Sequence, residues 1–242
     1  MALLALLGYG AFVLVSLVVG VRLLLLWRGT RETPELAIGV TLTAGGLSFA
    51  LGIAAFSAPE LPRAAAASIE MISGFAAHLA SAALALALRH IFRPDERWAR
   101  ALQLALTVAL AGSFLLRLVD PLAFPPPPFV FWPYMLLGAG IYAWSAVEAL
   151  LCWQETARRA RLGLAEPGLA RRFLLWAVAG TAALGIYVLA MVDRALQPGT
   201  MSPVMITSMS LLGIAAAVGL SSAFFPHDRS GLALLRGGRP GD

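Results

Sequence analysis

The chain has 242 residues, of which 60% are hydrophobic and 13% charged, with a formal net charge of +5. Soluble domains carry about 25% charged residues, so this composition excludes an ordinary water-soluble fold and points to a membrane-embedded one. All basic residues are arginine, which excludes a lysine Schiff base and with it a retinal cofactor, and the single Cys152 excludes an internal disulfide.

Seven segments are apolar enough to cross about 30 Å of hydrocarbon: Leu3–Trp27, Leu36–Phe56, Ser68–Phe92, Ala101–Val119, Phe129–Trp153, Phe173–Val192 and Val204–Phe225. Each is bounded by charge, proline or glycine. The first lacks a basic leader and its arginines follow the apolar run, so no cleaved signal peptide is expected. Residues 1–226 are thus expected to form a seven-helix membrane domain, and residues 227–242 a short, flexible cytoplasmic tail.

The second, sixth and seventh spans hold small residues that permit close helix approach, among them Gly45, Gly46, Gly52, Gly180, Gly185, Gly213 and Gly219. The third span carries the best candidate for intramembrane chemistry. Glu70, Ser73, Gly74, Ala77, His78 and Ser81 recur at helical spacing, as the stripe of a ligand site or proton pathway would. The bland alternative has Glu70 snorkelling outward and His78 bonded to a neighbouring carbonyl. At the end of the fourth span, Arg117 and Asp120 are spaced for an interfacial ion pair.

The fifth span follows Pro125–Pro128, which favour a stiff polyproline II segment, with Phe129, Phe131, Trp132 and Tyr134 as interfacial aromatics. Along it Gly138, Tyr142, Ser145, Glu148 and Cys152 share another face, and Tyr142, Ser145 and Glu148 join the candidate pathway. Glu148 lies about as deep as Arg22 of the first span, and a structural ion pair between them is expected. Trp144, Trp176 and Tyr187 could wall an apolar pocket, although aromatics at this spacing more often pack. The connection after the fifth span is the longest and most basic; Arg158, Arg159, Arg161, Arg171 and Arg172 are expected to meet lipid headgroups or a cytoplasmic protein partner.

The arginines divide 15 against 3 between alternate connections, without exception. The positive-inside rule then sets the N-terminus outside and the C-terminus in the cytoplasm, in a bacterial inner membrane. Membrane topology, rather than nucleic acid, accounts for the basic charge.

Three short matches suggest duplication. WRGTRE after the first span resembles WQETAR after the fifth; AGGLSFALGI in the second resembles AGTAALGI in the sixth; SIEMIS opening the third resembles SPVMIT opening the seventh. The order is kept, so the fourth helix would be the inverting linker of a parallel three-plus-one-plus-three repeat. In topology this arrangement resembles microbial rhodopsins and SWEET sugar transporters. The resemblance implies an N-terminus-out bundle and rests on no diagnostic motif. The retinal lysine is absent, and the proline-glutamine pair of the transporters is reversed here as Gln197-Pro198 in an outer connection.

These features point to a non-enzymatic receptor-like, sensor-like or accessory module that binds a small or lipidic ligand. The alternative is a small-solute or proton-coupled transporter working through the third span. No metal cluster, nucleophile elbow or paired carboxylate supports an enzyme, and no metal or cofactor is expected. Nothing in the residues sets an oligomeric state.

Overall fold

The structure, a computed structural model, describes residues 2–57, 60–123, 125–196 and 203–224; the tail expected over 227–242 and the Gln197-Pro198 pair lie outside the described residues. Its elements are seven helices: α1 Ala2–Thr30, α2 Thr33–Ser57, α3 Arg63–Phe92, α4 Arg97–Arg117, α5 Pro128–Arg161, α6 Pro167–Leu196 and α7 Pro203–Phe224. All seven contain windows long and apolar enough to cross a membrane, and the described residues hold no strand. The chain is an all-α membrane protein.

Local chemistry sets the helix ends. Pro128, Pro167 and Pro203 open α5, α6 and α7, where a preset φ suits the helix and the missing N–H has no intrahelical partner to lose. Past the end of α5, Gly163 adopts φ 71°, and the amides of Gly163 and Leu164 donate to the carbonyls of Ala160 and Arg159 at 3.0 and 2.9 Å. This pattern covers terminal carbonyls and stops the helix. The longest overruns past the apolar spans are in α3, which starts at Arg63, in α5, which continues to Arg161, and in α6, which begins at Pro167. Backbone hydrogen bonding continues where hydropathy has already ended.

Short connections make sequential helices antiparallel. Helix α1 packs against α2 and α7, α2 against α3, and α3 against α4 and α5; α4 packs against α5, α5 against α6, and α6 against α7. The result is a ring in the order α1, α2, α3, α5, α6, α7, with α4 outside it and resting on α3 and α5. Helix α3 is the most enclosed, with 56% of its spanning window buried against 22–33% for the others. Its alanines explain the difference, since Ala67, Ala85 and Ala87 are completely buried and let neighbouring backbones come close.

Two larger apolar clusters fill the interior. Val19, Ala37, Ile38, Leu42 and Ala87 join α1, α2 and α3, while Leu84, Ala85, Leu88, Leu110 and Ile141 join α3, α4 and α5. Apolar side chains such as Leu14, Val18, Val108 and Leu115 point outward, as expected of lipid-facing positions. In lipid there is no hydrophobic drive between helices, so close packing and interhelical hydrogen bonds must supply the cohesion. The seam that closes the ring illustrates this. A Cβ at Gly8 of α1 would stand 2.5 Å from the carbonyl oxygen of Ser210 in α7, and one at Gly213 would stand 3.1 Å from that of Gly8. Between α2 and α3, the Thr41 hydroxyl lies 3.3 Å from the Ala80 carbonyl, and Ser73 donates to the Ser48 carbonyl at 2.9 Å.

Candidate functional site

The polar stripe of α3 is real but divided. Five residues of α-helix turn through about 140°, so Ser73 and His78 cannot face one neighbour. Ser73 is buried toward α2, where it bonds Ser48; His78 is buried toward α4 and α5. Glu70, Gly74, His78 and Ser81 remain on one side, and the site is built around that side.

His78 is held at both ring nitrogens. Nδ1 lies 2.7 Å from the Gly74 carbonyl, and Nε2 lies 2.9 Å from the Ser113 hydroxyl of α4. Because a carbonyl only accepts, Nδ1 must carry a proton. In the neutral ring Nε2 then accepts from Ser113. In the charged ring Nε2 donates to Ser113, whose own proton can turn to the Leu110 carbonyl, 2.9 Å away. Both protonation states are therefore accommodated by one rotation of a hydroxyl. The Phe114 ring lies 5.4 Å from the imidazole and the Tyr134 ring 4.5 Å, closing it off from two sides. Ser113→Ala is expected to destabilise the bundle by about 1–3 kcal/mol by leaving a buried ring nitrogen unpaired, measurable as a lowered thermal midpoint in detergent micelles.

Beyond His78 lies a group of phenols. The hydroxyls of Tyr134 and Tyr187 are 2.9 Å apart, the Ser81 hydroxyl faces both, and the Tyr142 ring lies 5.4 Å from that of Tyr187. This joins α3, α5 and α6. Gly138 makes the arrangement possible, because a Cβ there would fall 2.3 Å from Cε1 of Tyr187. Tyr134 therefore turns inward; of the aromatics placed at the interface from sequence, Phe129 is the most exposed at 48%.

On the other side of His78, about one turn along α4 from Ser113, is Arg117. It is only 4% exposed, and neither Nη1 nor Nη2 has a hydrogen-bond partner among the described residues. The expected pair with Asp120 does not form. Helix α4 ends at Arg117, so Asp120 sits in the following turn, exposed, instead of one helical turn along the same face. Glu70 is within electrostatic reach of Arg117 but makes no ion pair with it.

The expected Arg22–Glu148 pair is also corrected. Glu148 is bound by Arg93, whose Nε lies 3.0 and 3.1 Å from the two carboxylate oxygens, and by the Trp144 indole at 3.2 Å. The reason is the ring order: α1 and α5 are not neighbours, whereas Arg93 follows directly on α3 and reaches α5. Arg22 instead reaches the Phe224 carbonyl of α7 at 3.4 Å. Ser145, fully buried, accepts from the Trp176 indole at 3.1 Å. Trp176 also packs on Phe92 and Phe224, so the aromatics proposed as pocket walls are packing residues tied by their polar atoms.

At the arginine-rich end, Arg158, Arg159, Arg161, Arg171 and Arg172 are all exposed, and Arg159 pairs with Glu155 one turn away. At the opposite end, Arg194 donates to the Pro126 carbonyl at 3.0 Å and lies over the Phe131 ring, pinning the proline segment. A shallow groove there is lined by Arg63, Ala64, Asp120, Leu122 and Ala123. Arg63 is about two turns from Glu70 on the same face of α3.

Sequence reasoning missed Ser113, Arg93 as the partner of Glu148, and the burial of Arg117. The spacing of Ser113 and Arg117, four apart on one helix face, was the available signal for two of them. Compared with protein-family models, with curated proteins and with solved structures, the chain matches none.

Proposed function

We propose that the protein is a non-enzymatic receptor-like, sensor-like or accessory membrane module. It binds a small or lipidic ligand within the bundle and passes that event to a cytoplasmic partner at the α5–α6 connection. The observation that carries this reading is the engagement of the interior polar groups. His78, Ser113, Tyr134, Tyr187, Ser145, Trp176 and Glu148 all have intramolecular partners. A transporter using α3 would need His78 beside a polar path open to one side, but Phe114 and Tyr134 cover it. The exposed arginines of α5 and α6 supply the output surface.

The same reading sets the arginine-rich end in the cytoplasm of a bacterium, on the strength of the arginine distribution. The ring order supports duplication of α1–α3 as α5–α7. Advancing three places maps α1·α2 onto α5·α6, α2·α3 onto α6·α7, and α3·α5 onto α7·α1. In each half a glycine of the second helix lies against a serine of the first, Gly46 against Ser16 and Gly180 against Ser145.

The test compares wild type with a variant in which Arg158, Arg159 and Arg161 are glutamine, by affinity capture from native membranes. A co-purifying protein present with wild type and lost with the variant is expected; equal recovery would sink the role of the connection. Proton or solute flux in proteoliposomes, abolished by His78→Ala, would establish the transporter alternative instead.

A further inference from the structure

We infer that Arg117 anchors the head group of a single-chain carboxylate amphiphile, held between α3 and α4 in the half of the bundle nearer the proline segment. The inference rests on the receptor-like reading above and names its ligand class.

The first argument is the unmet chemistry of Arg117. A guanidinium keeps its charge under all ordinary conditions and offers five donors in a planar fork that matches a carboxylate. Burying it leaves a substantial cost unless acceptors cover it. Arg117 is 4% exposed and both terminal nitrogens lack acceptors. The interior residues nearest in kind, His78 and Glu148, have their partners. Other buried polar atoms also lack a partner, namely the Ser16 and Thr43 hydroxyls and Nε of Arg89, but Arg117 leaves both terminal nitrogens of a guanidinium uncovered.

The second argument is space. His78 opposite Ser113 sets the register of the antiparallel helices, which brings Arg117 level with Gly74, one turn nearer the Arg63 end on both. No atom lies within 4 Å of where a Cβ at Gly74 would stand. The Gly74 level of α3 therefore lies open, over a floor made by His78 and Ser113, and an acceptor placed there is met by a swing of the Arg117 side chain, whose terminal nitrogens are enclosed in the present conformation.

The third argument is the surroundings. Ile72 and Phe75 on α3, Leu115 on α4 and Leu118 just past its end are half or more exposed. An alkyl chain leaving the Arg117 level meets apolar side chains, and a free small anion would gain nothing from them. Glu70 supplies the opposing element. A carboxylate there competes with any bound anion for Arg117, so removing its capacity to ionise should strengthen binding.

The experiment uses the full chain in nanodiscs of phosphatidylcholine, with radiolabelled dodecanoate as the probe and dodecanol and acetate as competitors. Dodecanoate is expected to bind saturably, to resist competition by dodecanol and by acetate, and to be weakened roughly 10- to 100-fold by Arg117→Gln. Glu70→Gln should tighten binding about threefold, and this second variant decides the matter if Arg117→Gln does not fold. Equal binding of dodecanol, effective competition by acetate, or affinity unchanged in either folded variant would overturn the inference. Loss of dodecanoate binding with capture of the cytoplasmic partner intact removes this inference alone. Binding without any partner leaves it standing and removes the receptor output.

Discussion

Arg93→Ala is expected to lower the unfolding free energy by about 3 kcal/mol, and Glu148→Leu by clearly less. The two halves of the ion pair differ in what is left behind. The Glu148 side chain is 6% exposed and the Arg93 side chain 36%. Without Arg93, a carboxylate remains enclosed between α3 and α5 with only the Trp144 indole to cover it. Without Glu148, Arg93 stands just past the end of α3 and can turn toward water or headgroups. The hydrogen bond and charge of Glu148 also push the Arg93 guanidinium above the usual arginine range, so the arginine keeps its charge. Denaturant titration in mixed micelles, followed by tryptophan fluorescence, measures both variants. Equal losses, or a greater loss for Glu148→Leu, would contradict the asymmetry.

Gly138→Ala is expected to cost about 2 kcal/mol, whereas Gly140→Ala two residues along should be neutral or slightly stabilising. A methyl at 138 would overlap the Tyr187 ring, with Cε1 at 2.3 Å and Cζ at 2.7 Å, but one at 140 meets nothing within 4 Å. The ring cannot yield without parting its hydroxyl from that of Tyr134, so the cost combines overpacking with a lost interhelical hydrogen bond. Tyr187→Leu in the Gly138→Ala background should recover part of the loss. A double-mutant cycle showing simple additivity would mean that the two residues do not oppose each other.

The spans were legible because hydropathy is a property of segments, and a twenty-residue apolar run has few alternatives in a membrane protein. The polar face of α3 was legible in part. Helical periodicity identified Glu70, His78 and Ser81, but admitted Ser73, which lies too far around the axis and serves α2. Neighbours along the chain follow from the short connections, but neighbours across the ring were not legible. Arg22 and Glu148 are matched in depth, and depth is what a one-dimensional reading supplies; the ring order that separates α1 from α5 is a two-dimensional fact. Arg117 illustrates another limit. Its apparent partner three positions along assumed that the helix continued, and it stops there.

Helix α5 runs unbroken for 34 residues, from the proline segment to Arg161. At 1.5 Å per residue this is about 50 Å, well beyond the roughly 30 Å of hydrocarbon, so its last turns project as a stiff rod. Tyr134, Gly138, Glu148 and the terminal arginines all lie beyond Pro133, the proline inside this helix, and before the turn at Gly163. A rotation or tilt imposed among the phenols would be carried along the helix to Arg158 and Arg161, past the point where Arg93 grips Glu148.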